Sequence, residues 1–240
     1  NMTITLDGFY IAIEDRVTLT GNFERPSDPK PGEPALTAAE LELQRLFDEA
    51  SANRARFFAN AIDTETYGVD LVVTHKTSIF NGWNMNNNLA ATYVQTNQVD
   101  DVHASQVLAN AGQADTFFGD RERGFLETAS PRFKANLSHT FTKDKWTAFL
   151  RNSYFGEVTN PDASNGVYPV YAGKLITDLS FGYDFTEKVN FTLGSNNLFD
   201  IYPDEAPANL TSGNNFVYPR VTSQFGFAGR QIFARLKFKL

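Results

Sequence analysis

Little in this sequence is arranged to make or break bonds. The three histidines, His75, His103 and His139, are scattered, and the chain has no cysteine, so neither a thiolate centre nor a disulfide can form. A four-coordinate metal site needs converging ligands. The nearest approach to one is His103 beside Asp100 and Asp101, in a polar stretch that reads as a solvated loop. No serine has a histidine at a recognisable catalytic spacing. No glycine-rich turn follows a strand-like run and opens a helix, so no phosphate cradle is expected either. The reading is of a protein that is not an enzyme, with no catalytic residue, no metal ligand and no cofactor.

Groups suited to holding a molecule without changing it are easier to find. Tyr202, Phe216 and Tyr218, with Phe225 just beyond, lie close together in sequence and could stack on a ring-bearing ligand. Arg151 could meet an anion, although a charge pair with a separate plugging domain is the simpler use of it. The amides of Asn84, Asn86, Asn87 and Asn88 could bind sugar, and a polar wall explains them as well. Asn136-Leu137-Ser138 and Asn209-Leu210-Thr211 match the glycan acceptor pattern but carry little weight alone. A net charge of −7 argues against nucleic acid as a partner.

The elements that must position these residues follow a spacing rule. Strand-like segments are joined alternately by very short and very long connections. Eight strands are expected, near 3–13, 56–76, 83–97, 132–142, 146–157, 174–185, 189–197 and 226–240. Short turns lie at 77–82, 142–145 and 186–188, and long loops at 14–54, 98–130, 157–173 and 200–219. Several strands alternate strictly. Leu175, Thr177, Leu179, Phe181, Tyr183 and Phe185 share one face, and Ile176, Asp178, Ser180, Gly182 and Asp184 the other. Period two with a single apolar face marks a half-buried sheet. One helix is expected near 37–50, where Thr37 and Glu40 make a capping box and Leu36 and Leu41 a hydrophobic staple. Its apolar stripe is Leu43, Leu46, Phe47 and Ala50. Loop 98–130 contains Gly112, Gly119 and Gly124, and partial order at best is expected there.

A soluble β-protein has no reason to sort its connections by length. An outer-membrane barrel does, because its periplasmic turns are short, its outer loops long, and its strands of about ten residues cross the lipid at a tilt. No apolar run approaches the roughly 20 residues of a transmembrane helix. Aromatic residues make up 14% of the chain, as interfacial girdles require, and such a girdle is the cheaper explanation of Tyr202, Phe216 and Tyr218. Each long loop is net acidic, while Lys76, Lys143, Lys145 and Lys188 stand at short turns. His75 and His139 fall on the apolar phase of their strands, where an interfacial or lipid-facing histidine is expected. The polar faces carry small Thr, Ser, Asn and Gly side chains. These suit an arc of a wide, wet barrel better than a small barrel that must fill its own interior.

Three stretches resemble the C-terminal barrel of TonB-dependent outer-membrane receptors. The first runs from Phe57-Phe58-Ala59-Asn60 through Tyr67-Gly68-Val69-Asp70-Leu71. The second is Asn196-Asn197-Leu198-Phe199-Asp200, in the next-to-last strand, followed by Ile201-Tyr202-Pro203. The third is the closing strand, Gly229 to Leu240, with Ile232, Ala234, Leu236, Phe238 and Leu240 on one phase. Together they cover most of the chain, and the Asn-Leu-Phe-Asp element is the most specific. The family ordinarily ends in an aromatic residue, whereas this chain ends in Leu240 with Phe238 two places earlier.

The resemblance implies a 22-stranded transmembrane barrel with an N-terminal plug. Residues 1–240 would then be the C-terminal, all-β part, an antiparallel up-and-down meander of about eight strands with one short helix in a long loop. The chain opens directly in strand alternation without a signal peptide, so a mature chain or a fragment lacking plug and N-terminal strands is expected. The implied partners are outer-membrane lipid and lipopolysaccharide, a small nutrient, and the TonB complex reached through the plug. The implied function is uptake of a ferric siderophore, cobalamin or oligosaccharide. Two other readings stay open: a self-contained eight-stranded outer-membrane protein with a structural or adhesive role, and a soluble sugar-binding β-sandwich.

Overall fold

The computed structural model describes residues 1–240 apart from 212, 214, 223 and 240. The first half contains β1 (Met2–Leu19), β2 (Phe23–Glu24), α1 (Ala38–Glu49), β3 (Arg54–Ala55), β4 (Phe58–Ser78) and β5 (Asn84–Gln98). Three short helices follow, α2 (Gln106–Asn110), α3 (Ala114–Phe117) and α4 (Asp120–Glu127). The rest is β6 (Phe133–Lys143), β7 (Trp146–Phe155), β8 (Val158–Thr159), β9 (Val170–Tyr171), β10 (Lys174–Thr186), β11 (Val189–Asn196) and β12 (Gln231–Phe238). Eight strands form one sheet in the order β1-β4-β5-β6-β7-β10-β11-β12, the expected meander. The pairs β2–β3 and β8–β9 are small ribbons within long connections that the sequence reading did not foresee. Among the described residues no helix is long and apolar enough to cross a membrane.

The chain divides into two compact units, one of residues 1–9, 67–95 and 128–240, the other of 10–66 and 96–127. In the first unit, register carries the two-residue alternation across the strands, with one shift between Asp184 and Thr186 where β10 turns into β11. On one face Phe141, Ala148, Phe181, Leu193 and Ala234 follow one another from β6 to β12, and His139, Leu150 and Leu179 run beside them. On the other face Ser138, Arg151 and Asp178 are consecutive partners, as are Thr147, Gly182, Thr192 and Arg235. Burial is inverted relative to a soluble protein. Phe181, Leu193 and Leu236 are 54%, 51% and 55% exposed, whereas Asp178 is only 7% exposed. In water, leaving each such side chain uncovered forgoes about 1.5–3 kcal/mol; against hydrocarbon it is the favourable arrangement. This excludes the soluble sandwich, whose apolar faces would be the covered ones.

Polar groups that do lie on the apolar face are paired there. Thr177 Oγ1 donates to Asn152 Oδ1 at 2.8 Å, directly across β10 and β7. Rings collect at both ends of the same face. Trp146, Tyr183 and Phe185 pack together at the short-turn end (centroids 4.6 and 5.1 Å apart), and Phe133 meets Tyr154 at the long-loop end (6.0 Å). Such paired belts are the signature of a wall set between two lipid–water interfaces. The turns are tight: Asp144 takes a left-handed φ of 49° between β6 and β7, and Thr186 Oγ1 accepts the Lys188 and Val189 N–H groups between β10 and β11. The last strand spans Gln231–Phe238 rather than 226–240, and Leu240 lies outside the described residues.

The second unit has an apolar centre of its own. Phe23, Leu43, Phe47, Ala61, Ile62, Leu108, Phe117 and Phe118 are buried together, with Phe23 stacked on Phe57 at 5.5 Å. The expected helix forms as α1, with both halves of the Thr37–Glu40 capping box in place. Leu43 and Phe47 bury, while Leu46 and Leu41 stay largely exposed, so only half of the expected stripe packs. Two expectations are corrected. The first strand continues to Leu19 instead of ending near 13, because Asp15, left-handed at φ 51°, gives its N–H to Asp63 Oδ1 and Arg16 reaches Thr64. Loop 98–130 is ordered as α2–α4, anchored by Leu108, Phe117 and Phe118. Gly119 serves close packing there rather than flexibility: a Cβ on it would come 2.5 Å from the Asp115 carbonyl oxygen.

The inverted wall gives an asymmetric prediction. In the full-length protein refolded into lipid vesicles, Leu179→Arg on the apolar face should cost about 2–4 kcal/mol, and Thr140→Arg on the polar face less than about 1. Denaturant titration of the two variants measures the difference, and equal costs would contradict the assignment of faces.

Candidate functional site

The second resemblance-bearing stretch organises the long-loop end of the first unit. Asn197 follows β11 with φ 50°, and its N–H donates to Asp178 Oδ1 at 2.8 Å. The other oxygen of Asp178 accepts Arg151 Nε and Nη2 at 2.8 and 2.5 Å. One buried carboxylate therefore ties β7, β10 and the exit of β11 together. The Asn197 side chain then brackets Ile201, donating to its carbonyl at 2.7 Å and accepting its N–H at 2.9 Å. Asp200, also left-handed (φ 59°), accepts the Arg230 N–H at 2.7 Å, which fixes both feet of the connection before β12. Gly229 is required at the second foot. Its φ is 68°, and a Cβ would come 2.2 Å from the Tyr202 hydroxyl.

On this base stands a cluster of four rings. Tyr202 stacks on Tyr218 (5.9 Å, 4° between planes) and Tyr218 on Phe227 (6.1 Å, 14°). Phe216 meets Tyr218 and Phe227 edge-on at 5.8 and 4.8 Å. Tyr202 and Phe227 remain 38% and 49% exposed, so ring surface is open to a ligand. The Tyr202 hydroxyl is pushed up from its ordinary range, first by its hydrogen bond to Asp200 and then by the charge of that carboxylate. Further contacts hold the rest of the connection. Thr222 Oγ1 donates to the Ala129 carbonyl, and Gln224 Nε2 to the carbonyls of Gly156 and Ala172. Asp204 accepts Lys174 Nζ and the Ala172 N–H, at 2.5 and 2.6 Å. Burial raises the Asp204 carboxyl, but these partners outweigh it and hold it below the ordinary range.

Three of the four ligand-binding candidates read from the sequence, Tyr202, Phe216 and Tyr218, thus come together. Arg151 does not join them: it lies on the polar face, as its phase implied, but its charge partner is Asp178 of the neighbouring strand rather than a plugging domain. Phe225 packs on Phe155 instead (5.6 Å), and Phe227 is the ring the reading missed. The Asn group splits, with Asn87 opposite His139 on the apolar face and Asn86 and Asn88 opposite Thr140 and Ser138 on the polar one. In the second unit His103 turns to Asp15 (Nδ1 to Oδ1 3.4 Å) rather than to Asp100 or Asp101. With Asp63 these three offer donor atoms within 4.8 Å of one another.

Inverted burial, paired aromatic belts and sorted connections define an outer-membrane barrel wall. The chain belongs to the TonB-dependent receptors: the family described as "TonB dependent receptor-like, beta-barrel" matches residues 1–198. The wall is accordingly an outer-membrane one. Solved structures agree in fold. The copper transporter OprC is 16% identical over 99% of this chain, with a TM-score of 0.52. The pyoverdine receptor FpvA of Pseudomonas aeruginosa PAO1 is 14% identical over 100% (TM-score 0.51), and the outer-membrane transporter YddB of Escherichia coli 12% identical over 100% (TM-score 0.57). The chain spans 28%, 27% and 30% of the length of those three proteins. No curated protein matches it.

Two predictions follow from the base of the cluster. Asn197→Ala removes two hydrogen bonds and puts a Cβ-bearing residue without a local polar partner at φ 50°, a loss of about 2–4 kcal/mol locally. Limited proteolysis between 198 and 230 should quicken at least about tenfold, and an unchanged rate would count against the bracket. Because the Asp204 pKa is depressed on folding, its contribution is present above the unfolded value of about 3.9 and lost as pH falls through the folded one. Protection of residues 200–219 should therefore be flat from about pH 7 to 5 and fall below about pH 4. Asp204→Asn should abolish that dependence.

Proposed function

We propose that this chain forms eight strands and the adjoining outer loops of a receptor that takes up a scarce nutrient by TonB-driven transport. The observation that carries the reading is the exposed four-ring cluster on its hydrogen-bonded base. Stacked, rigid rings give a large contact area at small entropic cost, and they suit a ligand with planar or ring-bearing parts. Among ferric siderophores, cobalamin and oligosaccharides, all three present such parts. The net acidity of the long loops favours a metal-bearing or cationic ligand. The wall contributes binding surface and a passage but no bond-making step.

The sheet order argues for a larger wall around these strands. β1 and β12 stand at opposite ends of it, and a strand edge in lipid must find a hydrogen-bonding partner. In this reading further strands close the barrel, a plug fills it, and the TonB complex acts through the plug. Eight strands closing on themselves would instead pair β1 with β12.

The test uses the full-length receptor in its host. Uptake of labelled ferric siderophore, cobalamin and oligosaccharide is compared between wild type and Tyr202→Ala/Tyr218→Ala. One of the three should lose about tenfold in apparent affinity, at about 0.5–1.5 kcal/mol per ring contact, while the barrel stays heat-modifiable. Unchanged uptake of all three would remove the ring cluster from ligand binding.

A further inference from the structure

Polar side chains are scarce on the apolar face of the wall, and three of them form a chain across β4, β5 and β6. His139 lies directly opposite Asn87, and its Nδ1–H donates to Asn87 Oδ1 at 2.5 Å. Asn87 Nδ2 donates in turn to His75 Nδ1 at 3.3 Å. One amide presents opposite groups to the two rings, so they adopt opposite tautomers: His139 carries its proton on Nδ1, His75 on Nε2. The consequence for charge is unequal. His139 can take a second proton on Nε2 with every bond of the chain intact. A second proton on His75 would confront the Asn87 NH₂ group.

The setting supplies a ligand for that charge. The three residues lie three or four positions inside the short-turn ends of their strands, which stop at Ser78, start at Asn84 and stop at Lys143. At about 3.4 Å per residue and a tilt near 45° this is about 7–10 Å from the turn, close to the headgroup boundary that the Trp146–Tyr183–Phe185 belt marks. Lys143 is on the same face as His139, opposite Trp146, and Phe141 packs near the His139 ring at 6.2 Å. Among the described residues, the positions on this face from β5 to β12 of the first unit include no carboxylate, and nor do the positions of 67–77 that alternate with His75. The basic groups nearest His139 on this face are His75 across Asn87 and, four positions along the same strand toward the turn, Lys143.

We propose that His139, positioned by Asn87 and His75, acts with Lys143 to bind the phosphate of an anionic glycerophospholipid in the periplasmic leaflet. The proposal rests on the outer-membrane reading of the wall, and it concerns a lipid site on the barrel exterior, not the transported ligand.

The test is native mass spectrometry of the full-length receptor, titrated with phosphatidylglycerol. Phosphatidylcholine and inorganic phosphate are titrated in parallel. Wild type should bind phosphatidylglycerol about tenfold more tightly than His139→Phe does. Asn87→Leu, which leaves both histidines but frees the His139 ring, and Lys143→Met should each weaken binding. Equal retention in His139→Phe would overturn the site. Equal binding of phosphatidylcholine would reduce it to a hydrophobic annulus, and equally tight binding of inorganic phosphate would refute a lipid ligand. Heat-modifiability and vesicle insertion of each variant are recorded alongside. A wild type that inserts normally and shows no lipid preference fails only this proposal, whereas a wild type that does not insert fails the membrane reading itself.

Discussion

The constraint on which everything else depends is that hydrocarbon offers no hydrogen-bond partner. A strand crossing it must satisfy its backbone in ladders with its neighbours. Its outward side chains must be apolar or paired, and its charges must turn to the other face. The inverted burial of the wall is that rule made visible: Phe181 and Leu193 open, Asp178 covered. The exceptions obey it as well. Thr177 and Asn152 satisfy each other, and His75, Asn87 and His139 share one chain of hydrogen bonds close to an interface.

The same constraint explains the division between wall and loops. Polar chemistry that is costly within the strands is cheap at their ends, and there the chain concentrates it. Asp178 links the two regions. It accepts from Arg151 within the wall and from Asn197 at the wall's edge, so the turn that launches the long connection starts from a fixed point. From Asn197 through Asp200 and Gly229, backbone geometry then determines where Tyr202, Tyr218 and Phe227 can stand. The ring cluster is positioned by side-chain hydrogen bonds and left-handed residues rather than by an apolar core.

Much of the wall was legible in the sequence, because period-two alternation and short turns are local signals. Where a two-residue turn joins β6 to β7, register is nearly determined, and the Lys143–Trp146 pairing could have been anticipated. Across a long connection it could not. The pairing of Arg151 with Asp178 and the meeting of Asn87 with His139 both depend on register set across long loops, so each residue's face was readable and its partner was not. The same limit hid Phe227 from the ring cluster. The error over 98–130 was of another kind: of the glycines taken as a sign of disorder, Gly119 serves close packing and Gly112 a left-handed turn at φ 68°, and the anchoring Leu108, Phe117 and Phe118 find their partners far away in sequence.

The central claim is that one phase of these strands faces lipid and the other a wet interior. The chain has no native cysteine, so single substitutions can be spin-labelled one by one through β10 and β11, from Leu175→Cys to Ser195→Cys, in the full-length receptor in lipid vesicles. Collision with oxygen against collision with a water-soluble nickel complex should alternate with a period of two. Labels at 179, 181, 191 and 193 should be oxygen-accessible, and those at 180, 182, 192 and 194 nickel-accessible. Uniform access to the water-soluble complex, or alternation in the opposite phase, would contradict the account.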